Sequence, residues 1–363
     1  TGVQTSALPI SRSYLPSKAV QVPGCPPVDI SDFLPVVDHP LFQRLRGRKQ
    51  LGVNYLVFPG AVHTRFEHTI GVLGLTRRLC HLYGIDGQVT RNLCAFALVH
   101  DVGHGPFSHQ IEPVIPGDHH QHGVQCLHEM RGALRHCGVE PDDLRDMLLG
   151  LSRWERFVSD RNLGTDKLDY LFRDALHIGF SGAPDVEALA LYAAFDEDGW
   201  AIEEKFIEDV KRVQKFYSYL HQHGYLNKTA LSVQRVFQRA VQEQMNAGEL
   251  RGESAWDMED DQMMTVLGES RVPLVRDLFG RLKNRCFHRT VLVIKPSGYS
   301  FVERQCSKNI AVREWPRERM RRFTESYNDA ADLSVLEDEL ASFLGLAPGE
   351  VLFAAMPYFE KLL

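Results

Sequence analysis

Between Thr64 and Leu82 apolar side chains recur at helical spacing (Ile70, Leu73, Leu75, Leu79, Leu82), and from Val89 to His100 nearly every face is apolar. The first pattern predicts a helix with one buried stripe and the second a helix buried all round, so the two are expected to pack together. Gly103, Gly105 and Pro106 end the second run, as helix-stopping residues do. Helical periodicity returns at 122–136, 141–150, 165–177, 204–223 and 226–247. Leu191–Phe195 and Trp200–Ile202 flank Asp196-Glu197-Asp198-Gly199, the layout of a small hairpin. Asn246 to Asp261 is rich in glycine and acid, and beyond it a helix pattern at 270–284, an apolar strand Val291–Ile294 and a helix pattern at 331–344 predict an α+β lobe. Residues 1–35 carry Pro9, Pro16, Pro23, Pro26, Pro27 and Pro35 with little period, which reads as an extended arm. The expected fold is mainly α, a helical bundle with a small hairpin and a C-terminal α+β lobe. It divides into an arm over 1–35, a helical domain over 36–250 and the lobe over 251–363.

Composition narrows the classes. Of the 363 residues 44% are hydrophobic and 24% charged, the balance of a folded globular chain and not of a disordered or collagen-like one. Lys plus Arg is 41 against 47 Asp plus Glu, a net charge of −6, so the chain as a whole advertises no polyanion partner, although a local basic pocket stays open. The cysteines (Cys25, Cys80, Cys94, Cys126, Cys137, Cys286, Cys306) are scattered without a C-x-x-C pair, as in a reducing compartment. No apolar run reaches the length of a membrane span and the N-terminal residues lack a signal-peptide layout, so a cytoplasmic protein with no membrane partner is expected.

The candidate chemistry lies in the histidines. Of 16 in the chain, His63, His68, His100, His104, His109, His119, His120 and His122 crowd into sixty residues. One such histidine is ordinarily a helix cap or a half-buried side chain; the crowding calls for more. His100-Asp101 ends the most apolar helix, and buried imidazole with carboxylate suits a divalent cation such as Mn, Fe or Zn, and less well Mg. His68, one helix earlier, sits on similar apolar support. On the helix that starts at Thr165, Asp166, Tyr170 and Asp174 share one face with Lys167 a quarter-turn away. The bland alternative is an acidic helix start favoured by the dipole.

These residues belong to longer motifs. Val37-Asp38-His39-Pro40-Leu41-Phe42-Gln43-Arg44-Leu45-Arg46, Gln50-Leu51-Gly52, Val57-Phe58-Pro59-Gly60-Ala61, Arg65-Phe66-Glu67-His68, His100-Asp101-Val102-Gly103-His104-Gly105-Pro106-Phe107-Ser108-His109 and Asp166-Lys167-Leu168-Asp169-Tyr170 resemble the HD-domain phosphohydrolases, and within them the deoxynucleoside triphosphate (dNTP) triphosphohydrolases of the SAM-and-HD-domain type. The resemblance covers about 36–250 well and the tail loosely, and the residues ahead of it are fewer than a SAM domain needs, so none is expected.

The resemblance implies an HD-domain helical bundle in which His68, His100, Asp101 and Asp166 hold one divalent transition metal (Mn, Fe or Zn), with additional Mg bound with the nucleotide. It implies catalytic roles for His104 and His109, and for His120 paired with Glu112. For the substrate it implies Arg65 and Lys167 at the phosphates, Gln50 and Leu51 at the sugar edge, and Tyr170, Asp174 and Tyr225 around the deoxyribose. Where vertebrate members place an arginine four residues before the later histidine, this chain has Tyr217 before His221, with Lys211 and Lys215 as neighbouring cations. Lys18, Asp38, Gln43, Arg46 and Arg285 match positions of a GTP or dGTP activator site that lies between subunits, which implies a homo-oligomer, a tetramer by preference. A helix N-cap followed by surface charges would also explain Asp38 to Arg46.

Other signals carry less. Gly103, Gly105 and Ser108 fall short of a dinucleotide-binding G-x-G-x-x-G, and Gly179-Phe180-Ser181-Gly182 of a nucleophile elbow. Cys126, His128, His136 and Cys137 match no tight zinc spacing. Arg317, Arg319, Arg321 and Arg322 read first as a solvated helix face, with a nucleic-acid contact left open. Three functions compete: metal-dependent hydrolysis of dNTPs to deoxynucleoside and triphosphate by water attack at the α-phosphorus; an HD phosphatase or phosphodiesterase on other nucleotides; and a non-catalytic regulator that binds nucleotide or nucleic acid. The proton-transfer histidines argue against the regulator, and the sugar-edge residues favour the first over the second. Base preference, and a role in nucleotide-pool control or in phage defence, stay open.

Overall fold

A computed structural model describes residues 18–297, 310–327 and 329–354. It is mainly helical, as the periodicity predicts. The helices of eight residues or more are α1 (Arg65–Leu82), α2 (Gly87–Val99), α3 (His119–Glu129), α4 (Pro141–Leu148), α5 (Thr165–Ile178), α6 (Ile207–Leu220), α7 (Lys228–Asn246), α8 (Asp260–Gly268), α9 (Pro273–Lys283), α10 (Arg317–Ser326) and α11 (Ala330–Leu344). Among the described residues three two-stranded sheets accompany them: β1 (Ala19–Val20) with β2 (Val28–Asp29) and β3 (Ala193–Asp196) with β4 (Gly199–Ile202), both antiparallel, and β5 (Leu292–Pro296) with β6 (Ala311–Trp315), parallel. The second pair is the predicted hairpin.

Caps fix where the site helices begin. The Thr64 side chain accepts from the Glu67 amide at the start of α1, Asp86 from Gln88 and Val89 at α2, and Asp118 from Gln121 at α3. The pattern at 204–223 divides into α6 and a π-helical turn at His221–Tyr225.

Two apolar clusters form the interior. The first joins Ile70 and Leu73 of α1 to Phe96 and Leu98 of α2 and Leu171 of α5, and takes in Val22, Val28, Ile30 and Phe33. From residue 18 onward, therefore, the proline-rich arm packs on the body; residues 1–17 lie outside the described residues. The second cluster joins Val53, Phe107 and Ile111 to Val236 and Phe237 of α7, Leu267 of α8 and Leu278 of α9. The predicted boundary at 250 thus falls within this cluster. Buried ion pairs of Arg235 and Arg239 with Glu337, at 2.7 and 3.0 Å, fasten α7 to α11. Val102 belongs to the first cluster and Phe107 to the second, so the loop after α2 crosses from one to the other.

Candidate active site

Three helix ends converge on one point. α2 delivers His100 and Asp101 at its C-terminal end, α1 carries His68 in its first turn, and α5 carries Asp166 in its first turn. His68 Nε2 lies 3.0 Å from Asp166 Oδ1 and 3.7 Å from Asp101 Oδ2, and His100 Nε2 lies 3.5 Å from Asp101 Oδ1 and 3.6 Å from Asp166 Oδ1. Two donors about 2.1 Å from one cation are ~3.0–3.5 Å apart, so the spacing suits a single ion. The outer ring nitrogens are tied back, His68 Nδ1 to Asp169 Oδ2 at 2.8 Å and His100 Nδ1 to the Ala97 carbonyl at 3.0 Å. Both Nε2 atoms therefore face the centre, and that of His100 is buried without a hydrogen-bond partner. Burial alone would lower the His68 pKa, but Asp166 and Asp169 push it up to about 10. His68, His100 and Asp101 offer three donor atoms close enough together to hold a metal cation, and Asp166 Oδ1 lies beside both imidazoles.

Asp169 reaches α1 through a glycine. A methyl group on Gly71 would overlap Asp169 Oδ1 and Arg173 Nη2, so the glycine permits the close approach that the His68–Asp169 contact needs.

Beyond Asp101 the loop turns through Gly103, where any side chain would overlap the His119 carbonyl. His104 Nε2 lies 3.3 Å from Asp101 Oδ1, and on the far side of the ring its Nδ1 lies 3.4 Å from Glu112 Oε1. The same carboxylate oxygen accepts from His109 Nδ1 at 2.9 Å and meets His119 Nδ1 at 3.0 Å. Burial would raise Glu112, but the three imidazoles hold it well below the usual carboxylate range. Burial, followed by Arg65 and the neighbouring rings, holds His104 well below 6.5, so it is neutral at pH 7. The His109 side chain is 64% exposed against 1% for His104, so His109 is the imidazole of this pair that reaches solvent.

His120, expected to pair with Glu112, feels that carboxylate's charge but makes no hydrogen bond or ion pair with it among the described residues; its ring lies 4.1 Å from that of His119. The residue in that place is His119, stacked on His104 at 4.0 Å. α3 starts at His119, capped by Asp118, and this ring is the one that lies 3.0 Å from Glu112.

Of the expected substrate residues, Arg65 touches this centre directly. Arg65, 2% exposed, donates to Asp101 Oδ2 at 2.5 Å and to Ser108 Oγ at 2.7 Å. Lys167 Nζ donates to the Arg161 carbonyl and to Gln214, and lies 4.0 Å above the Tyr217 ring; burial lowers its pKa to about 8. Tyr225 donates to Asp174 Oδ2 at 2.5 Å, while His63 meets Asp174 Oδ1 at 2.8 Å. Gln50 Oε1 is buried without a hydrogen-bond partner, and Leu51 and Tyr170 are half-buried. Lys211 is paired with Glu208.

At the expected activator positions Lys18, Asp38, Arg46 and Arg285 are exposed. Arg46 lies over the Phe66 ring at 3.5 Å and donates to Gln43. The cap of the short helix beginning at Pro40 is His39, not Asp38. In α10, Arg321 and Arg322 pair with Glu318, which neutralises much of that basic run.

Two buried residues that the sequence analysis passed over, Arg48 and Asp260, brace the loop. Arg48 donates to the carbonyls of His104, Trp256 and Met258, and Asp260 accepts from the amides of Phe107 and Lys49.

The sequence model of the HD domain matches residues 65–168, the span that holds His68, His100, Asp101 and Asp166. The chain contains an HD domain. Similar proteins include Uncharacterized protein MJ1154 of Methanocaldococcus jannaschii, 27% identical over 241 residues that make up 64% of this chain and 51% of that protein. Uncharacterized protein YwfO of Bacillus subtilis is 33% identical over 223 residues, 55% of this chain and 50% of that protein. Deoxynucleoside triphosphate triphosphohydrolase SAMHD1 of Homo sapiens is 30% identical over 242 residues, 54% of this chain and 38% of that protein. The chain spans about half, or less, of the length of these curated relatives. Among the described residues no helix is long and apolar enough to cross a membrane.

Proposed function

We propose that the protein hydrolyses dNTPs to deoxynucleoside and inorganic triphosphate, with water attacking the α-phosphorus and the bond to the 5′ oxygen breaking. The observation that carries the reading is the junction at Asp101. On one side its carboxylate joins the cation-binding donors, and on the other it meets His104, which leads to Glu112 and the exposed His109. Cation site and proton-transfer site are thus continuous. Similarity to a protein named as a dNTP triphosphohydrolase supports the choice of substrate.

A divalent cation held by His68, His100, Asp101 and Asp166, of the Mn, Fe or Zn kind, would supply Lewis acidity at the α-phosphate, with Mg accompanying the nucleotide. Arg65, fixed by Asp101 and Ser108, presents its guanidinium to the phosphate. His109, oriented by Glu112, gives a proton to the departing 5′ oxygen. Leu51 and Tyr225 close the space around the 2′ carbon, and Asp174 fixes the tyrosine. The HD domain works in this reading as part of a nucleotide-activated oligomer, with GTP or dGTP at Lys18, Asp38, Gln43, Arg46 and Arg285; exposed acid and cations suit guanine and phosphate.

The test is incubation with each of the four dNTPs and Mn or Mg, with identification of the phosphorus product. Triphosphate is expected; orthophosphate or pyrophosphate moves the protein to another class of HD phosphohydrolase. Light scattering and rate measurement with and without GTP test the activator, which an unchanged mass and rate would remove.

A further inference from the structure

The loop that carries His104 and His109 contains a backbone conformation that needs outside support. Phe107 and Ser108 both have φ of 59°, and neither is glycine. Consecutive non-glycine residues in the left-handed region persist only where the surroundings over-determine them. Phe107 is fully buried against Phe237 of α7, ring centroids 4.6 Å apart. Its amide donates at 2.7 Å to Oδ1 of Asp260, a carboxylate with no solvent exposure whose Oδ2 accepts from the Lys49 amide at 2.9 Å.

We infer that Asp260, which lies outside the HD-domain match, is a positioning residue for the phosphate-binding side of the active site. It clamps the left-handed turn at Phe107 so that Ser108 holds Arg65. The inference rests on the proposed reading for the role of Arg65. The path is continuous. Asp260 fixes the Phe107 amide, the turn places Ser108, Ser108 Oγ accepts from Arg65 Nε at 2.7 Å and donates to the Lys49 carbonyl at 2.8 Å, and Arg65 meets Asp101 at 2.5 Å. Lys49 is thus held at both ends, its amide by Asp260 and its carbonyl by Ser108.

The segment before Asp260 grips the other end of the turn. Arg48 joins the His104 carbonyl to those of Trp256 and Met258, and Trp256 packs on Gly105, where an added methyl would come within 3.2 Å of the indole. A carboxylate is suited to this task because its two oxygens can accept from two amide donors at once, whereas the isosteric carboxamide must turn its NH2 towards one of them. Asp260→Asn therefore sets a donor against a donor without changing volume.

The experiment compares wild type with Asp260→Asn by dNTP hydrolysis, metal content and hydrogen exchange of a peptide covering 104–110. The expected variant is folded, keeps the wild-type metal content, loses at least tenfold in kcat with KM within about threefold, and exchanges faster at 104–110. Wild-type kcat in a folded variant, or loss of activity only in step with loss of metal, overturns the inference. Should Asp260→Asn not fold, Ser108→Ala breaks the same path at its contact with Arg65. The same kcat loss with metal retained supports the inference, and unchanged kcat overturns it. If wild type does not hydrolyse dNTPs the substrate reading fails, and the exchange arm alone decides the clamp. Faster exchange at 104–110 with metal retained supports it, and unchanged exchange overturns it.

Discussion

His68 Nδ1 meets Asp169 Oδ2 at 2.8 Å, and with that nitrogen tied back the other faces Asp166 and Asp101. Asp169 is itself held by two hydrogen bonds from Arg173, at 2.7 and 2.8 Å, and Arg173 reaches on to Glu67. A carboxylate behind a ligating imidazole fixes its tautomer and strengthens it as a donor.

Replacing Asp169 by Asn should lower metal affinity or turnover by about 10–100-fold while the protein stays folded, because it weakens a partner of one ligand and removes no ligand. Asp101→Ala should abolish turnover and metal binding together. Metal analysis of the purified variants checks both; full occupancy with full activity in Asp101→Ala would remove that residue from the site.

Lys167 predicts a pH dependence. Burial lowers its pKa to about 8, so its charge is present below that pH and is lost as the pH rises through it. Since kcat/KM reports groups of the free enzyme, kcat/KM for a dNTP should fall on the alkaline side with an apparent pKa of about 8. In Lys167→Arg that limb should vanish, because arginine stays charged. An identical alkaline limb in the variant would assign it to another group.

The parts of the site that are legible in the sequence are those set by local pattern. His100-Asp101 is visible because a run from Leu93 to Val99 that is buried throughout leads into it, and Asp166 because it opens a helix. What the sequence conceals is set by contacts distant along the chain or by one-residue register. His119 and His120 are neighbours of the same type, and their one-residue register on α3 separates the ring 3.0 Å from Glu112 from the one beside it. Asp260 lies in a stretch marked in the sequence only by its glycines and acids, yet its carboxylate is fully buried and accepts from two amides of distant segments. A residue boundary at 250 follows composition, whereas Val53 and Phe107 pack with residues of α8 and α9. β1 and β2 are two residues long, too short to show a period.

Stability should depend on Glu337, whose side chain has no exposure and faces both Arg235 and Arg239. Glu337→Ala leaves two buried guanidinium groups short of a counter-charge, a loss of about 3–5 kcal/mol by analogy with other broken buried pairs. Urea unfolding measures it. A loss below about 1 kcal/mol would mean that Asp338 and Glu243, which also meet Arg239, compensate fully.

The proposed function gives Leu51 and Tyr225 the task of discriminating against ribose. Tyr225→Ala should raise the rate with ATP relative to dATP by about tenfold, since it removes the steric barrier to a 2′ hydroxyl. Parallel kcat/KM values for the two nucleotides check this. Equal values in wild type would show that no such barrier exists.

Attack at the α-phosphorus leaves an isotopic signature in the products. Hydrolysis of dATP in water enriched in oxygen-18, followed by phosphorus NMR and mass spectrometry, should place the label in inorganic triphosphate and leave the 5′ hydroxyl of deoxyadenosine unlabelled. Label in the nucleoside hydroxyl, or orthophosphate or pyrophosphate as the first product, would exclude water attack at the α-phosphorus.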